Sequence, residues 1–292
     1  MLYTIQNEFL KATVSLYGAE LQSLIASDGT QFLWQGDPAY WHERSPILFP
    51  YIGRMTDKSF YLDGEMHHMQ NHGIVKYHDF RLVSASDTQL VLAFEDTQQV
   101  YADYPRHFLF QVTYTLNGNT LEVACRVENR DDKTMYFGLG GHPGFLLPFT
   151  PGKDFTDYRL SFPSACEPRR VVFSETCFCT GDLVPYALQD GTTIPLQHSL
   201  FDDDAIVLTD TPKEVTLGAE GDPRSVTVTF PDMDYIGFWQ FASDDTPFLC
   251  IEPWSSLPSP DGKITVLEEQ KDLLSLPAGD CYENTWSIRV NF

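Results

Sequence analysis

Basic residues are scarce. The 292-residue chain carries 19 Lys and Arg against 41 Asp and Glu, a formal net charge of −22. A field of that sign repels nucleic acid and anionic membranes, and it opposes a polyanionic ligand unless basic groups gather locally. No apolar run reaches membrane-spanning length. Met1-Leu2 leads straight into a strand-like pattern, without a basic and then apolar leader. Cysteine is thin as well: Cys125, Cys166, Cys177, Cys179, Cys250 and Cys281 are scattered, and Cys177-Phe178-Cys179 has no second pair at zinc spacing. A cytoplasmic protein with free thiols is the expectation. Glycine-rich phosphate loops, GxGxxG and GxSxG are missing, and with them the usual signatures of nucleotide binding and serine hydrolysis. Helical stripes are missing too; Pro46–Pro50 and Glu268–Leu274 allow at most short helical turns.

What the chain does contain is alternation with period two, broken by turn dipeptides. Ala12, Val14 and Leu16 alternate with polar neighbours, Gly18 breaks the run, and Leu21 to Ala26 resumes it. The clearest hairpin puts Phe108, Phe110, Val112, Tyr114 and Leu116 on one face, turns at Asn117-Gly118, and returns through Leu121, Val123, Cys125 and Val127. Asp28-Gly29, Asp63-Gly64, Asp190-Gly191 and Asp261-Gly262 mark further turns. Without linker, low-complexity tract or internal repeat, this predicts an all-β chain, a large antiparallel β-sandwich forming a single domain over residues 1–292.

Chemistry concentrates in a few places. Gly138-Leu139-Gly140-Gly141-His142-Pro143-Gly144-Phe145 crowds glycine and proline around one histidine. Glycine allows positive φ or close approach of another group, and Pro143 biases His142 to an extended backbone. Two roles are open: a histidine satisfying a carbonyl in a buried turn, or one aimed at a ligand. Cys250-Ile251-Glu252-Pro253-Trp254 sets a carboxylate inside an apolar run, where an unpaired acid is costly to bury. Glu252 is either paired with an arginine for structure or held for chemistry. Arg54 follows the aromatic Phe49-Pro50-Tyr51-Ile52-Gly53 and either stacks at the surface or binds a ligand. His72 sits in Asn71-His72-Gly73, and Asp202-Asp203-Asp204 forms an acidic loop entering a strand. Two histidines, a glutamate, an arginine and aromatic faces suit a polar, uncharged ligand with many hydroxyls. A glutamate opposite a histidine also supplies a general base and a general acid. His67-His68 with His72 offers a weaker metal alternative that lacks a scaffold spacing.

In order along the chain, Gly18-Ala19-Glu20-Leu21, Trp34-Gln35-Gly36-Asp37-Pro38, Leu48-Phe49-Pro50 with Gly53-Arg54, His72-Gly73, Gly141-His142-Pro143 and Glu252-Pro253-Trp254 carry a resemblance to a known family. Together they resemble the aldose 1-epimerase (galactose mutarotase) family, in its LacX-like branch. The resemblance implies a galactose mutarotase-like supersandwich that interconverts the α and β anomers of a free aldose without metal or cofactor. It implies Glu252 as base, His142 as acid, His72 as a second active-site histidine, and Arg54, Asp204 and Trp254 as sugar-binding residues, with Asp203 the alternative to Asp204. The neighbours of His142 and Glu252 differ from those in typical galactose mutarotases, so the sugar itself stays open. A small-molecule sugar partner, no nucleic acid, no membrane, and a monomer or homodimer are expected. A non-catalytic carbohydrate-binding protein on the same scaffold is the alternative.

Overall fold

The computed structural model describes residues 1–292. Its architecture follows from the alternation: short strands, each with one apolar face, can bury those faces only by stacking sheets. Two large antiparallel sheets result. The nine-stranded sheet runs, edge to edge, Thr193–Pro195, Tyr158–Ser161, Glu214–Ala219, Ser225–Thr229, Cys281–Asn291, Thr120–Asn129, Phe108–Asn117, Gln89–Glu95 and Arg81–Ala85. The eight-stranded sheet runs Cys179–Pro185, Arg169–Phe173, Ile206–Thr209, Tyr235–Trp239, Phe248–Trp254, Gly140–Gly141 and Ile47–Leu48, with Gly144–Leu146 also paired to Phe248–Trp254. Smaller sheets, including Leu2–Gln6, Leu10–Ser15 and Leu21–Ala26, flank them. No helix is long and apolar enough to cross a membrane.

The predicted hairpin is present over Phe108–Asn117 and Thr120–Asn129, but its turn is one residue later than the sequence suggested. Asn117 pairs with Thr120, so Gly118-Asn119 forms the bend, and Gly118 takes the positive φ of 57°. Pro46–Pro50 holds the short strand Ile47–Leu48 instead of a helical turn, and a 3-10 turn at Leu267–Glu269 precedes Leu274–Leu276. The one α-helix, Gln98–Asp103, was not foreseen; its Thr97 cap accepts from the Val100 N–H at 3.2 Å. All six cysteines are free thiols.

The two large sheets share one interior, a contiguous cluster of 66 buried residues. Phe49, just past Ile47–Leu48, stacks on Phe110 of the opposite sheet at 4.5 Å between ring centroids. The glycine run is explained at the same interface. None of Gly138, Gly140, Gly141 or Gly144 has positive φ; what they provide is close approach. A Cβ on Gly141 would lie 2.5 Å from Cζ2 of Trp286 in the nine-stranded sheet. Glycine at 141 therefore lets the sheets come together and fixes the depth at which the next residue, His142, emerges.

Candidate active site

The strand Phe248–Trp254 is buried along its whole length. Its two faces differ, as period two requires. Leu249 and Ile251 join the shared interior, whereas Phe248, Cys250 and Trp254 belong to small satellite clusters on the other side of the sheet. Glu252 faces that side. The backbone then places His142 across from it. Gly140 pairs with Trp254 and Gly144 with Cys250, and the Ile251 N–H donates to the Pro143 carbonyl at 3.1 Å. That register sets His142 directly opposite Glu252, the closest cross-strand relation a sheet offers. Each is followed by a proline, Pro143 and Pro253, which has no N–H to give to the ladder.

The side chains meet. His142 Nε2 lies 3.1 Å from Glu252 Oε2, in contact but out of line for a hydrogen bond. Glu252 is 1% exposed and His142 7%. The imidazole is boxed by rings: Trp41 at 4.8 Å, Trp239 at 5.7 Å edge-on, and His72 at 5.4 Å and perpendicular. Burial disfavours both charged forms. It pushes the Glu252 carboxyl well above its ordinary range, with the Asp204 charge adding to the rise and the Trp254 indole opposing it. It pushes His142 down to about 3, with Lys76 adding to the fall. Both shifts favour the neutral pair, imidazole beside carboxylic acid, over imidazolium beside carboxylate. The reverse arrangement, imidazolium beside carboxylate, carries the same number of protons.

His72 is oriented by the backbone. The Gly53 N–H donates to its Nδ1 at 3.1 Å, which leaves Nε2 as the protonated, donating nitrogen. Burial first, then the neighbouring His142, Lys76 and Arg54, hold its pKa well below the ordinary value, so it is a neutral donor. Arg54 and Asp204 form the outer edge, with Nη1 and Oδ2 3.9 Å apart and side chains 49% and 29% exposed.

Glu252, His142, His72, Arg54, Asp204 and Trp254 all line one cavity of about 230 Å³. Asp203 does not line it; it belongs to the adjoining groove. Trp254, at 5% exposure, presents little of its face.

A family model described as aldose 1-epimerase matches residues 1–270. The chain belongs to the aldose 1-epimerase family. It is 29% identical to the chromosomal protein LacX of Lactococcus lactis subsp. lactis, over 99% of each chain. Among solved structures it is similar to a galactose mutarotase related enzyme from Lactobacillus acidophilus, with 30% identity, a TM-score of 0.92, and 100% and 98% of the two chains covered. It is also similar to a galactose mutarotase-like protein from Lactobacillus casei, with 28% identity, a TM-score of 0.93 and full coverage of both.

In this aldose 1-epimerase family member, several cavity residues escape sequence reading. Trp41 and Trp239 supply the half-exposed aromatic walls, and nothing in their neighbourhoods sets them apart. Lys76 is buried to 7% exposure, donates to Glu43 Oε2 at 2.8 Å and lies 2.8 Å from its Oε1. A lysine inside Gly73-Ile74-Val75-Lys76-Tyr77 was a usable signal, because a charge in an apolar run needs a partner. Gly237 was another. A glycine inside a strand marks close approach, and Gly237 pairs with Glu252, its would-be Cβ only 3.3 Å from that of the glutamate. A larger residue there would crowd the carboxyl.

The histidines suggested as a metal alternative do not converge. His68 Nδ1 contacts Ser59 Oγ at 3.0 Å, His67 packs on Phe60, and His72 faces the Gly53 amide. The grouping with three metal-type donors is instead His142, Cys250 and Glu252, whose donor atoms lie within 4.8 Å of one another. Burial raises the Cys250 thiol well above its ordinary pKa, which disfavours the thiolate a metal would need.

Proposed function

We propose that the protein is a mutarotase, exchanging the α and β anomers of a neutral free aldose. The observation that carries this reading is the 3.1 Å contact between buried Glu252 and His142. O1 and O5 of a pyranose are bonded to the same carbon, so a base for one and an acid for the other must stand side by side. In the reactive form, the Glu252 carboxylate takes the proton from the O1 hydroxyl. The C1–O5 bond breaks as C1=O1 forms, and the His142 imidazolium delivers its proton to O5. Rotation about C1–C2 and reversal of the same transfers on the other face of the carbonyl give the second anomer. After ring opening the pair is neutral, which is the form burial favours, so the burial of Glu252 and His142 supports the opening step. His72 offers a neutral donor, Arg54 and Asp204 hydrogen-bond hydroxyls, and the aromatic walls cover the C–H face of the ring. Positioned proton transfer of this kind contributes roughly 10²–10⁴ in rate.

The cations at the cavity favour a neutral sugar over its 6-phosphate. Lys76 is neutralised by Glu43, Arg54 faces Asp204, and the chain as a whole carries −22. NMR exchange spectroscopy of anomers over a panel of aldoses and their 6-phosphates tests the reading. Accelerated exchange of a neutral aldose supports it. Sugar binding without accelerated exchange would instead identify a carbohydrate-binding protein, and a phosphate preference of tenfold or more with strong salt dependence would overturn the substrate class.

A further inference from the structure

One charge pair at the cavity takes no part in the proposed proton transfer. Lys76 and Glu43 both line it, with Nζ 2.8 Å from Oε1 and side chains 6% and 22% exposed. The backbone holds both in place. Lys76 lies in the 3-10 turn Val75–Tyr77, packed so closely on Gly18 that a Cβ there would sit 2.9 Å from the Lys76 carbonyl oxygen. The segment after Glu43 is tied down by Glu20 Oε1, which accepts from the Arg44 and Ser45 N–H groups at 2.6 and 3.0 Å. The carbonyls of Arg44 and Pro46 then accept from the Gly144 and His142 N–H groups. Glu43 therefore approaches the site from the His142 side, away from Glu252. The strand order agrees: Ile206–Thr209, Tyr235–Trp239, Phe248–Trp254, Gly140–Gly141 and Ile47–Leu48 lie side by side. Asp204, Glu252, His142 and Glu43 follow one another across the sheet in that order. Their charges follow it too. After burial, the leading charge acting on Glu252 is that of Asp204, and on His142 that of Lys76.

A pyranose can be laid along this line. O5 is bonded to C1, which carries O1, and to C5, which carries C6. With O1 at Glu252 and O5 at His142, the molecule continues past His142 to C6, toward Glu43. Lys76 uses only part of the acceptor capacity of the Glu43 carboxylate, since each oxygen has two lone pairs. We propose that Glu43, held by Lys76, is a specificity-determining residue that accepts the hydroxyl on C6 and confines the site to aldoses with an uncharged hydroxymethyl group at C5. The inference rests on the mutarotase reading of Glu252 and His142 and adds what the site recognises beyond the anomeric centre. A 6-deoxy sugar or a pentose leaves the carboxylate short of a donor, and a uronate sets a second carboxylate against it.

Anomer exchange and calorimetry on D-galactose and D-glucose, their 6-deoxy forms, the pentoses L-arabinose and D-xylose, and the two uronates test it. Wild type should favour at least one hexose over its 6-deoxy and pentose counterparts by about tenfold in kcat/KM, the loss of one hydrogen bond to a charged group, and should disfavour the uronate further. Lys76 also acts on His142, so the variants are read as ratios between sugars. Glu43→Gln leaves Lys76 an unpaired cation and should raise the uronate-to-hexose ratio by about tenfold or more. The double variant Glu43→Leu/Lys76→Met replaces the pair by apolar groups of similar size, a change that folds tolerate. It should lose the uronate gain and narrow the hexose advantage over the pentose to below about threefold. Equal kcat/KM for hexoses and their 6-deoxy forms in wild type, or ratios unmoved in both variants, overturns the role of Glu43 and leaves the mutarotase reading standing. The same ratios in affinity, with no accelerated exchange of any sugar, support the Glu43 contact and overturn the mutarotase reading. Failure of every sugar to bind overturns both.

Discussion

The floor and the rim of the cavity are built by different means. Glu252 and His142 stand opposite one another in paired strands, both nearly inaccessible, at a depth set by Gly141 against Trp286 and with space left by Gly237. The rim is made of loops. His72 and Asp204 adopt φ of 64° and 82°, Gly53 takes 70°, and the ion pair between Arg54 and Asp204 is long and wet. An exposed pair of that kind adds little to stability, typically about 0–1 kcal/mol. On the proposed reading, packing therefore fixes the acid–base pair, whereas the groups assigned to sugar hydroxyls can vary without disturbing the sheet.

The contrast can be broken at either side. The largest effect belongs to the floor. Glu252→Gln cannot accept the O1 proton and His142→Asn cannot supply one to O5, so each should lower kcat by about 10²–10⁴ with sugar affinity within about tenfold. A thermal melt tests the scaffold beneath them. Gly141→Ala forces a methyl onto the Trp286 ring and should cost about 1–3 kcal/mol, whereas Arg54→Ala should leave the melting temperature nearly unchanged. At the rim, steady-state exchange should find Arg54→Ala weaker in KM by about tenfold, the loss of one hydrogen bond to a charged group. Asp203→Asn should have no effect on monosaccharides, since Asp203 lies outside the cavity.

The smallest effect concerns stability against pH. Glu252 keeps its proton well above its ordinary 4.5, so above that pH the unfolded chain binds fewer protons than the folded one and stability falls as pH rises. His142, held to about 3, acts oppositely: its contribution to stability rises from about 3 to its ordinary 6.5 and is lost on acidification. Glu252→Gln removes only the first effect. The variant should therefore melt above wild type, with the gap widening as pH rises above the ordinary 4.5 of the carboxyl. A gap that does not change with pH would contradict a buried, protonated Glu252.

Much of the floor was legible in the sequence because it follows from local rules. Period two gave the Phe108–Asn129 hairpin, misjudging only which two residues bend. A carboxylate within Cys250-Ile251-Glu252-Pro253-Trp254 and a histidine in a glycine run were each anomalous in their surroundings. What the sequence could not convey was their register, since nothing local says that Gly140 meets Trp254. The glycines were also open to two uses, positive φ or close approach, and only the facing Trp286 decides between them. Trp41 and Trp239 were hidden because a single tryptophan reads the same in a wall as in a core. The helix Gln98–Asp103 is only six residues long, too short to establish a period.

The central claim is that Glu252 and His142 act as one proton-transfer unit. Anomer exchange measured on wild type, Glu252→Gln, His142→Asn and the double variant, with calorimetric affinities on the same samples, tests it most directly. If the two groups serve one concerted step, the double variant is little slower than the slower single, and all four bind sugar within about tenfold of one another. Losses that simply multiply, or full activity in Glu252→Gln, would contradict it.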